Sequence, residues 1–374
     1  MTDTPQPKKL NLLLLTTELR PGGAEKCLVQ LAINLDPELF KVIIVTLGSK
    51  PSSSEDRLVQ QLEAKAIEHE FLNCDSKFKV LTAVKRLRNI IEKKEIDVVQ
   101  SFLFHANVVA GMAIGNSCKV RFFTGIRVAE PSRIRHRIER WATKRAENII
   151  CVSQAVMEFA SEKMGLPCEK LLTIPNGILP VSQDQNFHPD EVGISQPYVV
   201  FVGRLHQQKG LIPFFEKFLE WEDTLPDFDL VIVGEGPDRH RLECLSREFS
   251  RHRVRFLGWR DDPASIISEA ITTILPSQWE GMPNVLLETM ALSKPFVAFA
   301  IDGVSELGSH EKRQLVSPED YQQFFQKLAE VVDDQSMAEE LGKKNHQRIQ
   351  QDFTLKKMIA DYQTAYLSFA KPLM

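Results

Sequence analysis

The sequence contains no long apolar segment. No unbroken apolar run exceeds six residues, and the one nearest the start covers only residues 12–15, whereas a membrane-spanning helix needs about 20 apolar residues. Asp3 and two prolines precede this run and no small-residue cleavage site follows it, so the start differs from a signal peptide. We therefore expect a cytoplasmic protein without a membrane-spanning helix of its own.

Cysteine clusters and a strong charge of one sign are absent as well. Six cysteines are scattered along the chain without a spacing typical of metal ligands: Cys27, Cys74, Cys118, Cys151, Cys168 and Cys244. Neither a zinc site nor a disulfide framework is predicted, and a reducing compartment is the simplest interpretation. The 46 basic and 50 acidic residues give a net charge of −4, so nothing indicates general nucleic-acid binding.

The composition is that of a soluble globular protein, with 43% hydrophobic and 26% charged residues. A chain of 374 residues is too long for one ordinary core and fits two domains. Apolar segments alternate with helical patterns, which predicts βαβ units and parallel sheets covered by helices. A polar, proline-containing stretch over 179–197 predicts a linker. We therefore place the domains at 1–185 and 186–353.

The predicted elements follow from apolar runs and from periodicity. Strands are expected in the first domain over 10–15, 41–47, 97–101, 120–124, 148–152 and 171–174, and in the second over 198–202, 230–233, 254–257, 271–275 and 295–300. Helices are expected after the glycine pair at 22–23, over 56–66, 78–93, 106–114 and 133–145, from 237 to about 250, from 283, and from about 354 to 369.

Two glutamates eight positions apart, Glu280 and Glu288, flank the most informative turn of the sequence. The strand before them ends at Pro276, and Pro283 suits the first position of the next helix. Glu280 should therefore lie in the loop and Glu288 in the helix. Gly281 allows close approach of a ligand, and the free amides that open a helix bind anions. Carboxylates accept hydrogen bonds from diols, so the turn suits a ligand that is part phosphate and part sugar.

Two further loops follow predicted strands. In the first, Arg204 and Lys209 lie five positions apart between glycines, and together they can neutralise a diphosphate. In the second, Gly22 and Gly23 join the first strand to the first helix, where backbone amides favour an anion; a tight turn without a ligand is the alternative. The chain has no G-x-G-x-x-G fingerprint there, so a dinucleotide fold is poorly supported. His105, just beyond the strand that ends at 101, is a candidate functional histidine, or else a capping or packing one.

These motifs, in this order, resemble the retaining GT-B glycosyltransferases of family 4, also called glycosyl transferases group 1. The resemblance rests on the E-x7-E pair, on the segment Gly203 to Gly210 as a G-R-x-x-x-x-K-G loop, and on the segment P-G-G-A-E that begins at Pro21. It implies an α/β protein of two Rossmann-like domains whose parallel sheets face each other across a cleft. The first domain would hold the acceptor and the second the nucleotide sugar, and the last helix, about 354–374, would pack back on the first.

Catalytic roles carried over from the resemblance fall on four residues. Arg204 and Lys209 would hold the donor diphosphate and stabilise the leaving group without a metal or another cofactor. Glu280 would contact the donor sugar; the second glutamate, Glu288, would be a donor-binding residue that binds the ribose. His105 would lie near the sugar, although Phe102 stands where many relatives have a second histidine.

The resemblance also implies donor contacts around these residues. The further donor-binding candidates are Gly22, Gly23, Gly203, Gly258, Trp259, Arg260, Gly281, Met282, Pro283, Asn284 and Val285. His105 and Arg127 are expected on the acceptor side. The segment 302–307 resembles the family's G-G-x-x-E-L turn, with Asp302 in place of the first glycine.

The activity implied is transfer of a sugar, with retention at the anomeric carbon, from a nucleotide-diphosphate sugar to a glycan or a lipid-linked acceptor. A UDP-sugar is the favoured donor, and cell-surface polysaccharide or glycolipid synthesis is the expected pathway. A nucleotide-sugar epimerase of similar fold and a nucleotide-sugar-binding protein without turnover remain as alternatives.

A basic segment over 133–145 is the one strong local charge bias. Ile134, Ile138 and Trp141 share one face of its predicted helix, and Glu139 is its only acid. Such a helix can lie on the anionic inner face of a membrane and make the protein peripheral. Alternatively, the apolar face packs the helix against its own sheet.

Overall fold

The computed structural model describes residues 9–53, 55–115, 120–180, 187–194, 197–251 and 253–368. The chain forms two compact units: one comprises residues 1–176 and 355–374, and the other comprises residues 177–354. The chain thus passes from the first unit to the second earlier than residue 185, where the composition changes.

The first unit contains a seven-stranded parallel sheet in the order β3-β2-β1-β4-β5-β6-β7. Its strands are β1 (Leu10–Thr16), β2 (Phe40–Thr46), β3 (Glu68–Phe71), β4 (Val98–Ser101), β5 (Arg121–Ile126), β6 (Asn148–Cys151) and β7 (Leu171–Thr173). Its helices between strands are α1 (Gly23–Asn34), α2 (Arg57–Ala64), α3 (Val80–Lys93), α4 (Phe104–Ala113), α5 (Arg133–Ala142) and α6 (Gln154–Glu162). The central strand β1 is apolar on both faces because helices cover both sides of the sheet.

The second unit contains a six-stranded parallel sheet in the order β10-β9-β8-β11-β12-β13. Its strands are β8 (Tyr198–Val202), β9 (Asp229–Val233), β10 (Val254–Gly258), β11 (Thr272–Leu275), β12 (Phe296–Phe299) and β13 (Leu315–Val316). Its helices are α7 (Leu211–Trp221), α8 (Arg239–Ser246), α9 (Pro263–Glu269), α10 (Asn284–Ala291), α11 (Asp302–Leu307), α12 (Tyr321–Asp333) and α13 (Gln335–Asp352). Two doubly wound parallel sheets confirm the expected fold class.

The last helix, α14 (Leu355–Leu367), belongs to the core of the first unit. Tyr366 packs edge-on against Phe123 of β5, with ring centroids 5.3 Å apart. Tyr362 stacks on Phe102 at 6.2 Å. Both tyrosines are fully buried, so the C-terminal helix completes the apolar layer over β1, β4 and β5.

Four local expectations were wrong. Strand β3 was not predicted; its sequence is polar because it lies at the sheet edge and pairs only with β2. The segment 302–307 is a short helix and not a turn. Helix α8 ends at Ser246, short of residue 250. Within the expected linker 179–197, Phe187 and Ile194 are buried in the core of the second unit, so this stretch is partly structural.

Candidate active site

Four loops of the second unit leave the carboxyl ends of neighbouring strands β10, β9, β8 and β11, and they are hydrogen-bonded in series. The backbone bonds are Gly234 N–H to Gly258 O (2.7 Å), Gly203 N–H to Val233 O (2.9 Å), Leu205 N–H to Glu235 O (2.9 Å) and Gln278 N–H to Gln208 O (2.8 Å). All predicted donor-binding residues of this unit lie on these loops or on α10, which follows them. Parallel strands place their carboxyl ends at one edge, so the segments 203–210, 258–260 and 276–291 meet there.

Glycine is required where two of these loops touch. Gly210 has φ = +66°, and a Cβ there would lie 2.0 Å from the carbonyl oxygen of Pro276. Gly234 has φ = +133°, and its Cβ would lie 1.9 Å from the carbonyl oxygen of Gly203. Any other residue would be strained and would push the loops apart. Gly210 therefore fixes the spacing between the cationic loop (203–210) and the glutamate loop (276–283), and Gly234 fixes the spacing between the cationic loop and the loop after β9.

The centre of the edge is an ion pair between Lys209 and Glu280. Lys209 Nζ lies 2.5 Å from Glu280 Oε1, and the hydroxyl of Ser277 donates to the same oxygen at 2.8 Å. Glu280 is only 5% exposed. A buried carboxylate requires such partners, because an unpaired charge would be strongly destabilising. The structure therefore brings the two predicted groups into direct contact, and it adds Ser277, which the sequence did not single out.

Arg204 differs from Lys209 in its surroundings. It follows β8 by two residues and is exposed, and it forms no ion pair with the residues that the structure describes. Its guanidinium is therefore available to an anionic ligand, while the charge of Lys209 is neutralised from within the unit.

Asp302 supports the glutamate loop from the next segment. Its carboxylate accepts a hydrogen bond from the backbone N–H of Glu280 at 3.2 Å. Burial raises the pKa of Asp302, and the nearby Glu280 carboxylate raises it further. The residue has φ = +31°, a conformation that favours glycine. The G-G-x-x-E-L motif that this segment resembles has glycine at this position. A Cβ on the adjacent Gly303 would lie 1.7 Å from Gly281 O, so this segment is packed directly on the glutamate loop.

The start of α10 was predicted one residue too early. Pro283 precedes the helix with extended ψ = 114°, and Asn284 is the first helical residue. Gly281, Met282 and Pro283 are buried. Asn284, Val285 and Glu288 are half-buried in the first two turns of the helix. Glu288 thus lies in the helix and Glu280 in the loop, as expected from the punctuation by proline and glycine.

The segment after β10 contains two different side-chain environments. Gly258 has φ = +68°, and Trp259 is 44% exposed. The guanidinium of Arg260 donates two hydrogen bonds to Asp262, at 2.8 and 2.7 Å. The side chain of Arg260 is therefore held by its own loop, which leaves the backbone and Trp259 as the groups presented for a ligand.

In the first unit, the predicted residues follow β1, β4 and β5, which are neighbours in the sheet. Gly22 is the cap residue of α1 and Gly23 is its first residue. His105 is exposed in the first turn of α4, because that helix begins at Phe104 and not at Ala106. Its imidazole therefore lies at the carboxyl edge of the sheet, where a ligand of this unit would bind.

Arg127 was expected to be available to an acceptor, but its side chain is buried. It is 9% exposed and donates to Asn176 Oδ1 at 2.5 Å and to Tyr362 Oη at 3.4 Å. Its guanidinium lies over the ring of Phe102, 5.1 Å from the centroid. Phe102 thus replaces the expected second histidine with an apolar surface that holds a buried arginine.

Glu25 is a titratable residue that sequence reasoning missed, although it lies in the P-G-G-A-E segment. It is 8% exposed, and burial raises its pKa to about 7. Its carboxylate folds back over Gly22, where a Cβ would lie 2.3 Å from Oε2. One sequence signal could have identified it: Glu25 is an acid in the first turn of a helix that begins at a pair of glycines.

The described residues contain no group of three or more His, Cys, Asp and Glu side chains that could hold a metal ion. The five cysteines in the described part of the chain are free; Cys118 lies outside it. No helix within the described ranges is long and apolar enough to cross a membrane.

Known proteins similar to this chain identify the family. The model of glycosyl transferases group 1 matches residues 184–348, and the model of glycosyltransferase family 4 matches residues 21–180. A relative from Escherichia coli, UDP-Gal:alpha-D-GlcNAc-diphosphoundecaprenol alpha-1,3-galactosyltransferase, is 26% identical over 69% of this chain and 72% of its own length.

Solved structures agree with this fold. A glycosyltransferase from Rickettsia africae superposes with a TM-score of 0.79 at 18% identity, over 98% of this chain and all of the other. HepE from Anabaena, solved in complex with UDP-glucose, superposes with a TM-score of 0.82 at 20% identity, over 96% of this chain and all of the other. The chain belongs to glycosyltransferase family 4 and is a glycosyltransferase of the GT-B fold class.

Proposed function

We propose that this chain is a retaining, metal-independent hexosyltransferase that uses a UDP-sugar. The observation that carries the proposal is the edge of the second sheet, where Lys209, Glu280 and Ser277 are in contact and Arg204 is exposed beside them. This edge offers two cations for a diphosphate, and one of them, Lys209, is in direct contact with a carboxylate that can accept sugar hydroxyls. The UDP bound to the similar Anabaena protein supports the choice of nucleotide.

The leaving group of the reaction is the nucleotide diphosphate, which departs as an anion while the sugar carbon becomes cationic. Arg204 and Lys209 would stabilise the departing charge together with the free amides that open α10. The helix amides belong to the backbone of the fold, so they would stabilise the departing charge without reorganisation of water, whereas Lys209 would first exchange its contact with Glu280. Two cations and a helix terminus can thus perform the role that a divalent ion has in other transferases.

The ion pair between Lys209 and Glu280 would exchange partners when the donor binds. Lys209 Nζ is only partly exposed and is bonded to Glu280. A diphosphate carries more negative charge than one carboxylate, so it would compete with Glu280 for Lys209. One oxygen of Glu280 would then be released to accept hydrogen bonds from the sugar hydroxyls. Ser277 would continue to hold the carboxylate during this exchange. Retention would follow from attack on the face that the leaving phosphate occupies, with that phosphate taking the acceptor proton.

The proposed acceptor is a glycan or a lipid-linked saccharide used in cell-surface polysaccharide or glycolipid synthesis. The name of the Escherichia coli relative specifies a diphosphoundecaprenol-linked acceptor and a UDP-Gal donor. His105, exposed at the carboxyl edge of the first sheet, is the proposed acceptor-side residue. Arg127 would act indirectly, because it holds Asn176 and Tyr362 beneath that edge.

Donor selectivity tests the proposal directly. UDP-, GDP-, ADP- and dTDP-sugars should be compared for binding and for slow hydrolysis, with and without EDTA. We expect binding of a UDP-sugar that resists EDTA and that weakens about 10- to 100-fold in Glu288→Ala, because a buried pair of ribose hydrogen bonds is worth about 1.5–3 kcal/mol. Glu248→Ala, at an exposed acid of the same unit, is the control.

The reaction products separate the proposal from its rivals. A new α-glycoside supports a retaining transferase, whereas a β-glycoside from an α-linked donor would contradict retention. An isomerised free sugar would indicate an epimerase. Binding without any turnover in the presence of a lipid-linked acceptor pool would favour a nucleotide-sugar-binding protein.

A further inference from the structure

Helix α5 of the first unit packs on its own domain through its polar and small residues. Glu139 is 6% exposed and accepts a hydrogen bond from Asn107 Nδ2 at 2.9 Å. Asn107 also donates to Gly125 O and accepts from Ser101. This buried polar network fixes which face of α5 is turned toward the sheet.

A close backbone contact reinforces the same orientation. A Cβ on Gly111 of α4 would lie 2.4 Å from the carbonyl oxygen of Ala142, the last residue of α5. Only glycine permits the two helices to approach this closely. Ala142 and Thr143 are buried in consequence. The inward face of α5 thus carries Glu139 and Ala142, and Thr143 is buried directly after the helix ends.

The large apolar residues of α5 are consequently turned outward. Ile134 is 75% exposed, Trp141 is 55% exposed and Ile138 is 40% exposed. At 100° per residue these three side chains occupy one narrow sector of the helix, about 60° wide. The expectation that this apolar row packs the helix against its own sheet is therefore wrong. An exposed row of this kind on a soluble domain marks an interaction surface.

Cations border the exposed row. Within the described part of the chain, five of them make no ion pair: Arg133, Arg137, Arg140, Lys144 and Arg145. The other basic residue of this helix, Arg135, is paired with Glu130 at 3.4 Å. An open cavity of about 640 Å³ along the flank of the helix is lined by Arg137, Arg140, Lys144 and Trp141. It is large enough for a phosphate-bearing headgroup beside an aromatic ring.

We propose that the outward face of α5, formed by Ile134, Ile138, Trp141 and the unpaired cations beside them, docks the first unit onto an anionic phospholipid bilayer. Isoleucine and tryptophan would enter the boundary between headgroups and acyl chains, and arginine would bind lipid phosphates in the open cavity. Charge selects this occupant over a second copy of the chain, because a symmetric contact would oppose five cations to the same five cations.

A second pair of exposed apolar residues lies in the same helical layer. Phe78, two residues before α3, is 98% exposed, and Leu81, in the first turn of α3, is 74% exposed. Helices α3 and α5 both pack against α4, and each begins at the carboxyl edge of the sheet. They therefore extend the apolar contact along the edge at which the first unit would receive its acceptor.

The test is flotation of the full-length protein with vesicles, which requires no nucleotide sugar and no acceptor. Vesicles of phosphatidylcholine with 30% phosphatidylglycerol, on the order of physiological anionic content, are compared with pure phosphatidylcholine. We expect flotation with the anionic vesicles only, and a blue shift of tryptophan emission that disappears in Trp141→Phe. Raising the salt concentration should weaken binding, because exposed charges are screened.

Two variants separate charge from insertion. Arg133→Gln with Arg137→Gln and Arg140→Gln should weaken binding roughly 100-fold, since each surface cation contributes about fivefold. Ile134→Ser with Trp141→Ser should remove the tryptophan shift and lower binding by about the same factor. These side chains are exposed, so circular dichroism and thermal melting should be unchanged.

The matched control removes three exposed cations elsewhere that form no ion pair within the described ranges: Lys65→Gln, Arg247→Gln and Lys343→Gln. It changes the net charge equally and should float like the wild type. The proposal is overturned if the wild type does not float, or if the control loses binding as the α5 variants do. If millimolar inorganic pyrophosphate abolished vesicle binding completely, the cavity would be assigned to soluble anions. If the protein were a dimer that dissociates in Ile134→Ser, the face would be assigned to a second copy of the chain.

Discussion

Replacing Glu25 by glutamine should stabilise the protein in a way that depends on pH. Glu25 is buried at the start of α1, its carboxylate lies against Gly22, and burial raises its pKa from 4.5 to about 7. The folded state therefore holds the proton more tightly than the unfolded chain does. Below pH 4.5 both states are protonated and the acid has no cost. As the pH rises from 4.5 to 7 the unfolded state loses its proton first, and the folded state becomes progressively less stable.

The size of the effect follows from the two pKa values. They differ by 7 − 4.5 = 2.5, and each pKa unit corresponds to 1.36 kcal/mol, so the cost reaches about 3 kcal/mol above pH 7. Glutamine has the same shape without the charge. Glu25→Gln should therefore raise the free energy of unfolding by about 3 kcal/mol at pH 8 and leave it almost unchanged at pH 4.5. For a unit of this size the melting temperature at pH 8 should rise by roughly 6–12 °C.

The assay is thermal unfolding from pH 4.5 to 8, followed by circular dichroism on the wild type, Glu25→Gln and Glu92→Gln. Glu92 is an exposed acid of the same unit, so its variant should follow the wild type throughout. Equal stabilisation by Glu25→Gln at both pH values would mean that packing, and not the proton, is responsible. Destabilisation at pH 8 would mean that the native carboxylate is ionised, and it would refute the reasoning.

Three other perturbations test the site itself. Lys209→Ala should lower kcat by about 100- to 1000-fold in a UDP-release assay. The double variant Lys209→Met with Glu280→Gln should recover the folding stability that is lost with the ion pair, but not the activity. Normal turnover in either variant would show that Lys209 has no part in the mechanism. Gly210→Ala should destabilise the second unit by at least about 2 kcal/mol in urea unfolding, because its Cβ would meet Pro276 O. The control Gly115→Ala has open space around the new Cβ and should leave the stability unchanged. Equal stability of the two variants would contradict the packing described for Gly210. Dialysis against EDTA should leave turnover unchanged, and recovery only after Mg²⁺ or Mn²⁺ is added would show that a metal is needed.

Periodicity in the sequence was sufficient for the two parallel sheets. Buried strands such as β1 and β8 are apolar on both faces, and each is followed by a helical pattern, which leaves few alternatives to βαβ winding. Strand β3 was not predicted because its sequence, Glu-His-Glu-Phe, has no apolar run. An edge strand needs only one neighbouring strand and one apolar face. Punctuation by proline and glycine located the loops correctly, but the ends of helices shifted by one to four residues, as at Asn284 and Ser246.

The members of the candidate site could be named from the sequence, but their contacts could not. Lys209 and Glu280 are 71 positions apart, and they meet because β8 and β11 are adjacent in the sheet. Ser277 lies three positions before Glu280 in the same loop, and Asp302 reaches that loop because β12 is the other neighbour of β11. Arg127 shows the converse: its position after β5 suggested a ligand contact, and its side chain instead lies in the core, because α14 supplies Tyr362 as a partner.

The sequence by itself determined the fold class, the order of the elements and the residues at the carboxyl ends of the strands, because these depend on local patterns of apolar side chains, glycine and proline. Only the tertiary structure decided which side chains are paired and which surfaces are free. Helix α5 illustrates the reason: its amphipathic pattern is compatible with either orientation. The bond from Asn107 to Glu139 and the contact of Gly111 with Ala142, both made across the packing of two helices, turn its apolar row to the outside.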